Sequence, residues 1–351
     1  MRRWAAVLVF PLIACSQSPS GPIAGATPSP TASVAPTMQP SPTPVADLPL
    51  TKVDFSCRLP ISISTSAGAI RSQNGFVSFP SGGLTVDPSS KGGAYFDRAF
   101  SRWLPVARSA VSLDGAHYAF VDLGDGFFNV HVVEVRTGKD HVLREKVAGF
   151  SFQPFVLDYA SEGIYIGQGF ERIQPGLWLV APTTGAIRKV SNVDGLQVSA
   201  GGGVFWSGEI NPADPNPIRV PSSAGTLADQ IDRVDIRSGR QVVWLYLPGK
   251  GVSVVGLDIH GRPLIAVYSG QAQVPPENDP VDHSATQLLI ALDAKTQRSI
   301  YKGQLVESLG GAISDAHGVW FGSQQGLYLY SEAHGLQKVS DQPGSPANGC
   351  F

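Results

Sequence analysis

Two long connections concentrate the side chains best suited to ligand chemistry. The first, GEINPADPNPIRVPSSAGTLADQ (Gly208 to Gln230), carries Asp214; the second, GQAQVPPENDPVDHSATQ (Gly270 to Gln287), carries Glu277, Asp279, Asp282 and His283. Carboxylates and an imidazole on proline-stiffened loops suit a cation, a sugar or a protein partner; the same acids also simply keep surface loops solvated. No stronger chemical signature occurs: there is no H-E-x-x-H, no G-x-S-x-G, no P-loop and no C-x-x-C. DLGDG (Asp122 to Gly126) lacks the alternating oxygen ligands and distal glutamate of a calcium loop and reads as a polar turn. The seven histidines are scattered, and no two sit at metal-ligand spacing on one strand. The expectation is therefore no catalytic residue, no metal site and no cofactor, calcium being the one ion that the acidic loops would suit.

The elements that must position these loops are short strands. VHVVEVRTGKDHVL (Val130 to Leu143) alternates apolar and polar residues, breaks at Thr137-Gly138 and alternates again. Similar phrases return at LWLVAPTTGAIRKV, DRVDIRSGRQVVWL, LIALDAKTQRSIYK and YLYSEAHGLQKVSD. Alternation of period 2 reads as a half-buried strand, and Thr-Gly or Ser-Gly between two such runs reads as a hairpin turn. The turn positions Gly138, Gly185, Gly239, Gln297 and Gly335 are spaced by 47, 54, 58 and 38 residues, the scale of four-stranded propeller blades. A second strand pair precedes each phrase, turning at Asp114-Gly115, Glu162-Gly163, Gly201 to Gly203, His260-Gly261 and His317-Gly318. LPISIS, GFVSFP, GLTVDP and SRWLPVA supply a further N-terminal unit. Six four-stranded blades are expected in a single all-β propeller, with seven as the alternative. On that plan both long connections join second to third strands of neighbouring blades and rise side by side on one face.

SLDGAHYAFVD, with Leu113 in place of proline, resembles the S-P-D-G-x-x-[IL]-A-F repeat of TolB-like, WD40-like β-propellers. The resemblance implies the fold and carries no function, since that fold hosts binding scaffolds, lactonases and dehydrogenases alike.

The ends of the chain bear on location. MRRW supplies two positive charges, AAVLVFPLIA an apolar run, and LIAC follows at Leu12 to Cys15. About ten apolar residues are too few to span about 30 Å of hydrocarbon. LIAC in this context resembles the lipobox of bacterial lipoproteins. That resemblance implies a signal peptide over 1–14 and acylation of Cys15, each buried CH₂ adding about 0.8 kcal/mol of membrane affinity. Residues 15–50 then form a tether: nine prolines stand in a Ser/Thr/Ala background without any charge between Arg3 and Asp47. Such a composition cannot bury enough apolar surface to offset its ordering entropy. The propeller occupies 51–351.

Loss of Arg2 and Arg3 from the 26 basic residues leaves 24 against 28 acidic ones, a net charge of −4. With no Lys/Arg cluster, nucleic acid is not an expected partner. Charged residues are 15% of the chain, against roughly 25% in an average soluble protein; with 39 glycines and 28 prolines this suits a turn-rich β protein.

Two cysteines remain after lipidation. Cys57 precedes the first expected strand and Cys350 follows the last, so a disulfide between them would close the ring where chain connectivity is absent. Trp206, Trp244 and Trp320 fall in expected strands and read as filling between blades, and Trp178 is the weaker candidate for a ligand-facing ring.

Together these readings describe a lipid-anchored, extracytoplasmic propeller that binds or scaffolds a protein or glycan partner on its loop-bearing face. A metal-dependent lactonase-like or sugar-oxidising enzyme and an envelope-assembly accessory lipoprotein are the alternatives.

Overall fold

Wherever a glycine turn separates two alternating runs, the chain forms an antiparallel pair. The computed structural model describes residues 48–63, 73–90, 92–124, 127–148, 154–168, 176–192, 198–201, 203–215, 219–220, 225–226, 228–268, 285–293, 295–305 and 310–351. In chain order the first strands are β1 (Cys57–Ile63), β2 (Gln73–Phe79) and β3 (Gly83–Val86), followed by a separate hairpin of β4 (Tyr95–Asp97) and β5 (Arg102–Leu104). A three-stranded sheet follows: β6 (His117–Gly124), β7 (Phe127–Glu134) and β8 (Asp140–Ala148). Next come β9 (Pro154–Ala160), β10 (Gly163–Gln168), β11 (Leu177–Val180) and β12 (Ile187–Ser191). The following sheet holds β13 (Val198–Gly201) and β14 (Val204–Glu209), then, beyond a small insertion hairpin of β15 (Arg219–Val220) and β16 (Gly225–Thr226), β17 (Gln230–Asp235) and β18 (Gln241–Tyr246). The last two sheets are β19 (Gly251–Leu257), β20 (Pro263–Tyr268), β21 (Ala285–Ala291) and β22 (Gln297–Leu305), then β23 (Gly310–Asp315), β24 (Gly318–Ser323), β25 (Gly326–Ser331) and β26 (Gly335–Ser340). A final two-residue strand, β27 (Ser345–Pro346), returns to β1.

The architecture is an all-β propeller, and the expected set of six four-stranded blades is corrected to five four-stranded ones. Among the described residues five sheets carry four strands. The unit turning at Asp114-Gly115 carries three, because its inner position holds only a 3-10 turn at Arg108–Ala110 and one bridge, Val111 to Tyr118. A second correction concerns the N-terminal unit. SRWLPVA does not add its fourth strand but pairs as β5 with β4, Phe96 facing Trp103. The fourth strand comes from the other end of the chain, with Ile61 opposite Pro346 and Ser62 opposite Ser345.

The core lies between sheets. First strands of successive sheets lie against one another: β9 on β13, β13 on β19, β19 on β23, and β23 on β27. Each interface has its own apolar cluster. Tyr165 and Leu179 meet Phe205 and Val234, for instance, and Leu264 and Leu288 meet Phe321 and Tyr328. Fully burying such a side chain contributes about 1.5–3 kcal/mol. Hydrogen bonds cross the same seams, Trp206 Nε1 donating to Gly261 O at 2.9 Å and Ser314 Oγ to Leu257 O at 2.6 Å. The outer turn glycines are needed twice over. Gly185 and Gly239 have φ of 65° and 69°, and a Cβ there would lie 2.3 Å from Leu143 O and 2.4 Å from Val190 O of the preceding sheet.

The ring closes covalently. Cys57 and Cys350 form a disulfide with Cα atoms 5.6 Å apart, 293 residues apart in sequence. Around it Arg58 and Phe351 exchange backbone hydrogen bonds of 2.8 and 3.1 Å, and Ala347 N donates to Pro60 O at 2.8 Å. Among the described residues no helix is long and apolar enough to cross a membrane. Cys15 and the tether up to residue 47 lie outside the described residues.

Candidate functional site

The acidic candidates of the two long connections do not assemble a visible site. Glu277, Asp279, Asp282 and His283 lie outside the described residues. Asp214 is 8% exposed and accepts a hydrogen bond from Gly249 N at 2.9 Å, so it is directed into the protein rather than toward a ligand. Among the described residues no group of three His, Cys, Asp or Glu side chains converges to hold a metal. Trp206 and Trp320 are buried, and Trp244 stands edge-on to Trp206 at 5.1 Å. Trp178 carries Lys189 Nζ 5.4 Å from its ring centre.

The opposite face offers a different arrangement. There the turn between first and second strands of three successive sheets leaves a polar cleft of about 820 Å³. Its ionisable lining is Arg108, Asp158, Glu162, Arg233, Asp235 and Arg237. Arg108 comes from the 3-10 turn that replaces a strand, where its Nη1 donates to Val111 O at 3.0 Å. Asp158 lies on β9, and Glu162 occupies the β9–β10 turn, 3.9 Å from Arg237 Nε. Arg233 sits on β17, its guanidinium 6.0 Å from the Trp244 ring centre. Asp235 is engaged in its own turn, accepting from Ser238 N at 2.8 Å and Ser238 Oγ at 2.7 Å.

The three carboxylates therefore differ in character. Burial pushes Asp158 up to about 6, against weaker downward pulls from the Tyr159 backbone and Arg108. Burial also raises Glu162, but hydrogen bonds from Ser161 and Tyr165 and the Arg237 charge outweigh it and hold the group below its ordinary value. Hydrogen bonds from Ser238 likewise hold Asp235 low. A carboxyl displaced by burial inside a charged cleft marks a candidate site on physical grounds. It also has a measurable cost. The stability linked to Asp158 is fully present below its ordinary value of 3.8 and is lost as pH rises through about 6. Asp158→Asn is accordingly expected to raise the urea midpoint above about pH 6 and to flatten its decline between about 4 and 6. A midpoint unchanged across that range would show the carboxyl to be unperturbed.

The cleft was not legible in the sequence because Arg108, Asp158 and Arg233 share no spacing and stand on a 3-10 turn and two different sheets. The 108–110 turn, standing where a strand was expected, lines one side of the opening.

No family model matches the chain, and no curated protein matches it. Solved structures do. The chain is similar to TolB from Acinetobacter baumannii (13% identity, TM-score 0.43), over 83% of this chain and 65% of that one. It therefore spans about two thirds of that protein's length. It is similar to a protein from Lactobacillus plantarum (12% identity, TM-score 0.40, 84% of this chain and 98% of that one). It is also similar to a putative 6-phosphogluconolactonase from Bacteroides fragilis (11% identity, TM-score 0.38, 86% and 99%).

Proposed function

We propose that this chain is a lipid-anchored, extracytoplasmic propeller that binds a protein partner through the polar cleft at Arg108, Asp158 and Arg233. The cleft carries the reading: among the described residues its lining combines guanidinium and carboxylate groups and includes no aromatic ring on which a sugar could stack. A peptide segment with charges of both signs complements that lining better than a glycan does. The disulfide supports an oxidising compartment, and the lipobox-like LIAC with its charge-free, proline-rich tether supports anchoring at a membrane. On binding, bidentate contacts from these guanidinium groups to a partner's carboxylates would contribute most.

The test screens the full chain, in detergent micelles, against an array of mixed-charge peptides and an array of bacterial glycans. Peptide hits are expected whose affinity falls at least about tenfold in Arg108→Ala/Arg233→Ala and weakens as salt is raised. Glycan hits alone, or peptide hits indifferent to both substitutions, would overturn the proposal.

A further inference from the structure

The long connection between β14 and β17 is fastened at its base by two buried aspartates. Asp229 is 1% exposed and Asp214 8%. Asp229 Oδ1 accepts from Asn211 N at 2.7 Å, while its backbone N–H donates to Glu209 O at 3.1 Å and its carbonyl accepts from Leu247 N at 2.9 Å. Asp214 Oδ2 accepts from Gly249 N at 2.9 Å, and Asp214 N donates to Asn211 O at 3.0 Å. The pair thus joins the start of the connection, its end, and the turn at 247–250 that leads into β19. The two carboxyl groups lie within hydrogen-bonding reach of each other, yet Asp229 Oδ2 is buried and meets no donor. Ionised carboxylates only accept. Facing oxygens of this kind repel unless a proton lies between them, and burial of both opposes a double charge.

We propose that Asp214 and Asp229 share one proton, making an acid-stable clasp that holds the long β14–β17 connection against the β18–β19 turn and opens when the proton leaves. Ionisable groups on the adjoining strands and turn include Glu209, Asp232, Tyr246 and Lys250, Asp232 accepting from Gln230 Nε2 and Gln241 Nε2 at 2.7 Å each. Glu209 Oε1 accepts from Ser207 at 2.9 Å; Tyr246 is raised by burial and by both carboxylates; Lys250 is exposed at the end of the turn. Burial, then Asp214, raises Asp229 above its ordinary 3.8. The clasp's contribution is therefore complete below 3.8 and is lost as pH rises through the raised value. The contact of Asn211 and Asp214 with Asp229 and the 247–250 turn would be tight in acid and loosen toward neutrality, independently of whether the cleft on the opposite face binds a partner.

Amide hydrogen exchange on the full chain in detergent micelles, corrected for intrinsic rates, tests this at Asn211 and Gly249, whose N–H groups the two carboxyls hold. Protection is expected to fall at least about tenfold between about pH 4 and about pH 8. Asp214→Asn supplies a permanent N–H donor to Asp229 and should keep protection high and pH-independent, whereas Tyr246→Phe should leave the transition in place. A flat wild-type profile, an unaltered transition in Asp214→Asn, or its disappearance in Tyr246→Phe would each overturn the clasp.

Discussion

Replacing Cys57 and Cys350 together with alanine is expected to lower the unfolding free energy by up to about 5 kcal/mol. The bond spans 293 residues, so nearly the whole folded chain gains conformational freedom in the unfolded state when it is cut. The cost on the folded side falls at one seam. Every other junction between sheets is joined by continuous chain, whereas here the innermost strand, β27, contributes only two residues to its ladder. The contacts that remain without the disulfide include the Ile61–Pro346 and Ser62–Ser345 pairing and the hydrogen bonds of Ala347 and Phe351 to Pro60 and Arg58. Phe351 also stacks on Phe96 with ring centres 5.7 Å apart, beneath Arg98 at 5.1 Å. The expected pattern is therefore a lower denaturant midpoint together with faster amide exchange at Ala347 and Phe351. Exchange at Leu179 and Phe205, three sheets away, should follow global stability only. An unfolding free energy within about 0.5 kcal/mol of the parent would mean that this seam holds without its covalent link.

Much of this seam was legible in the sequence, and the reason is chemical. Cysteines flanking the first and last strands of a ring can join its two ends, and the positions of Cys57 and Cys350 pointed to that pair. The strands were legible for a different reason: glycine at a hairpin turn adopts positive φ, as Gly138, Gly185, Gly239 and Gly335 do at 72°, 65°, 69° and 70°, and it breaks an alternation that is otherwise continuous. Blade number was not legible. Arg108 to Val111 has the composition of a strand but forms a turn and one bridge, and the choice depends on the neighbouring β4–β5 hairpin, whose residues look like blade strands themselves. The β27–β1 pairing escaped notice because two residues cannot show a period.

The long connections illustrate the converse limit. NPADP reads as a solvated, acidic turn, and Asp214 looked free to bind. In the fold the segment turns back, Asp214 N bonds to Asn211 O, and the carboxyl is drawn under the Leu247–Lys250 turn beside Asp229. Nothing local distinguishes a buried aspartate from an exposed one. The difference lies in a partner 15 positions later and a backbone N–H 35 positions later.

Trp320→Ala is expected to cost about 3–5 kcal/mol, with a result tied to the same seam. Trp320 belongs to the last four-stranded sheet but is fully buried in the cluster of the first, among Leu59, Ile61, Val77 and Phe79. Its Nε1 donates to Asp315 Oδ2 at 2.7 Å, and that oxygen also accepts from Cys350 N at 2.7 Å. One carboxylate thus ties the indole to the residue that carries the disulfide. Removing the indole leaves a cavity and takes a donor from a nearly buried charge, which adds to the loss of packing. Trp320→Phe keeps most of the volume and removes only the N–H, so its smaller loss measures the Asp315 contact. Combining Trp320→Ala with the double cysteine variant then asks whether the seam is one cooperative unit. Groups that share a hydrogen-bonded partner couple by about 0.5–3 kcal/mol. Strict additivity would separate the covalent closure from the aromatic one, and the ring would have two independent locks at its junction instead of a single one built around Asp315.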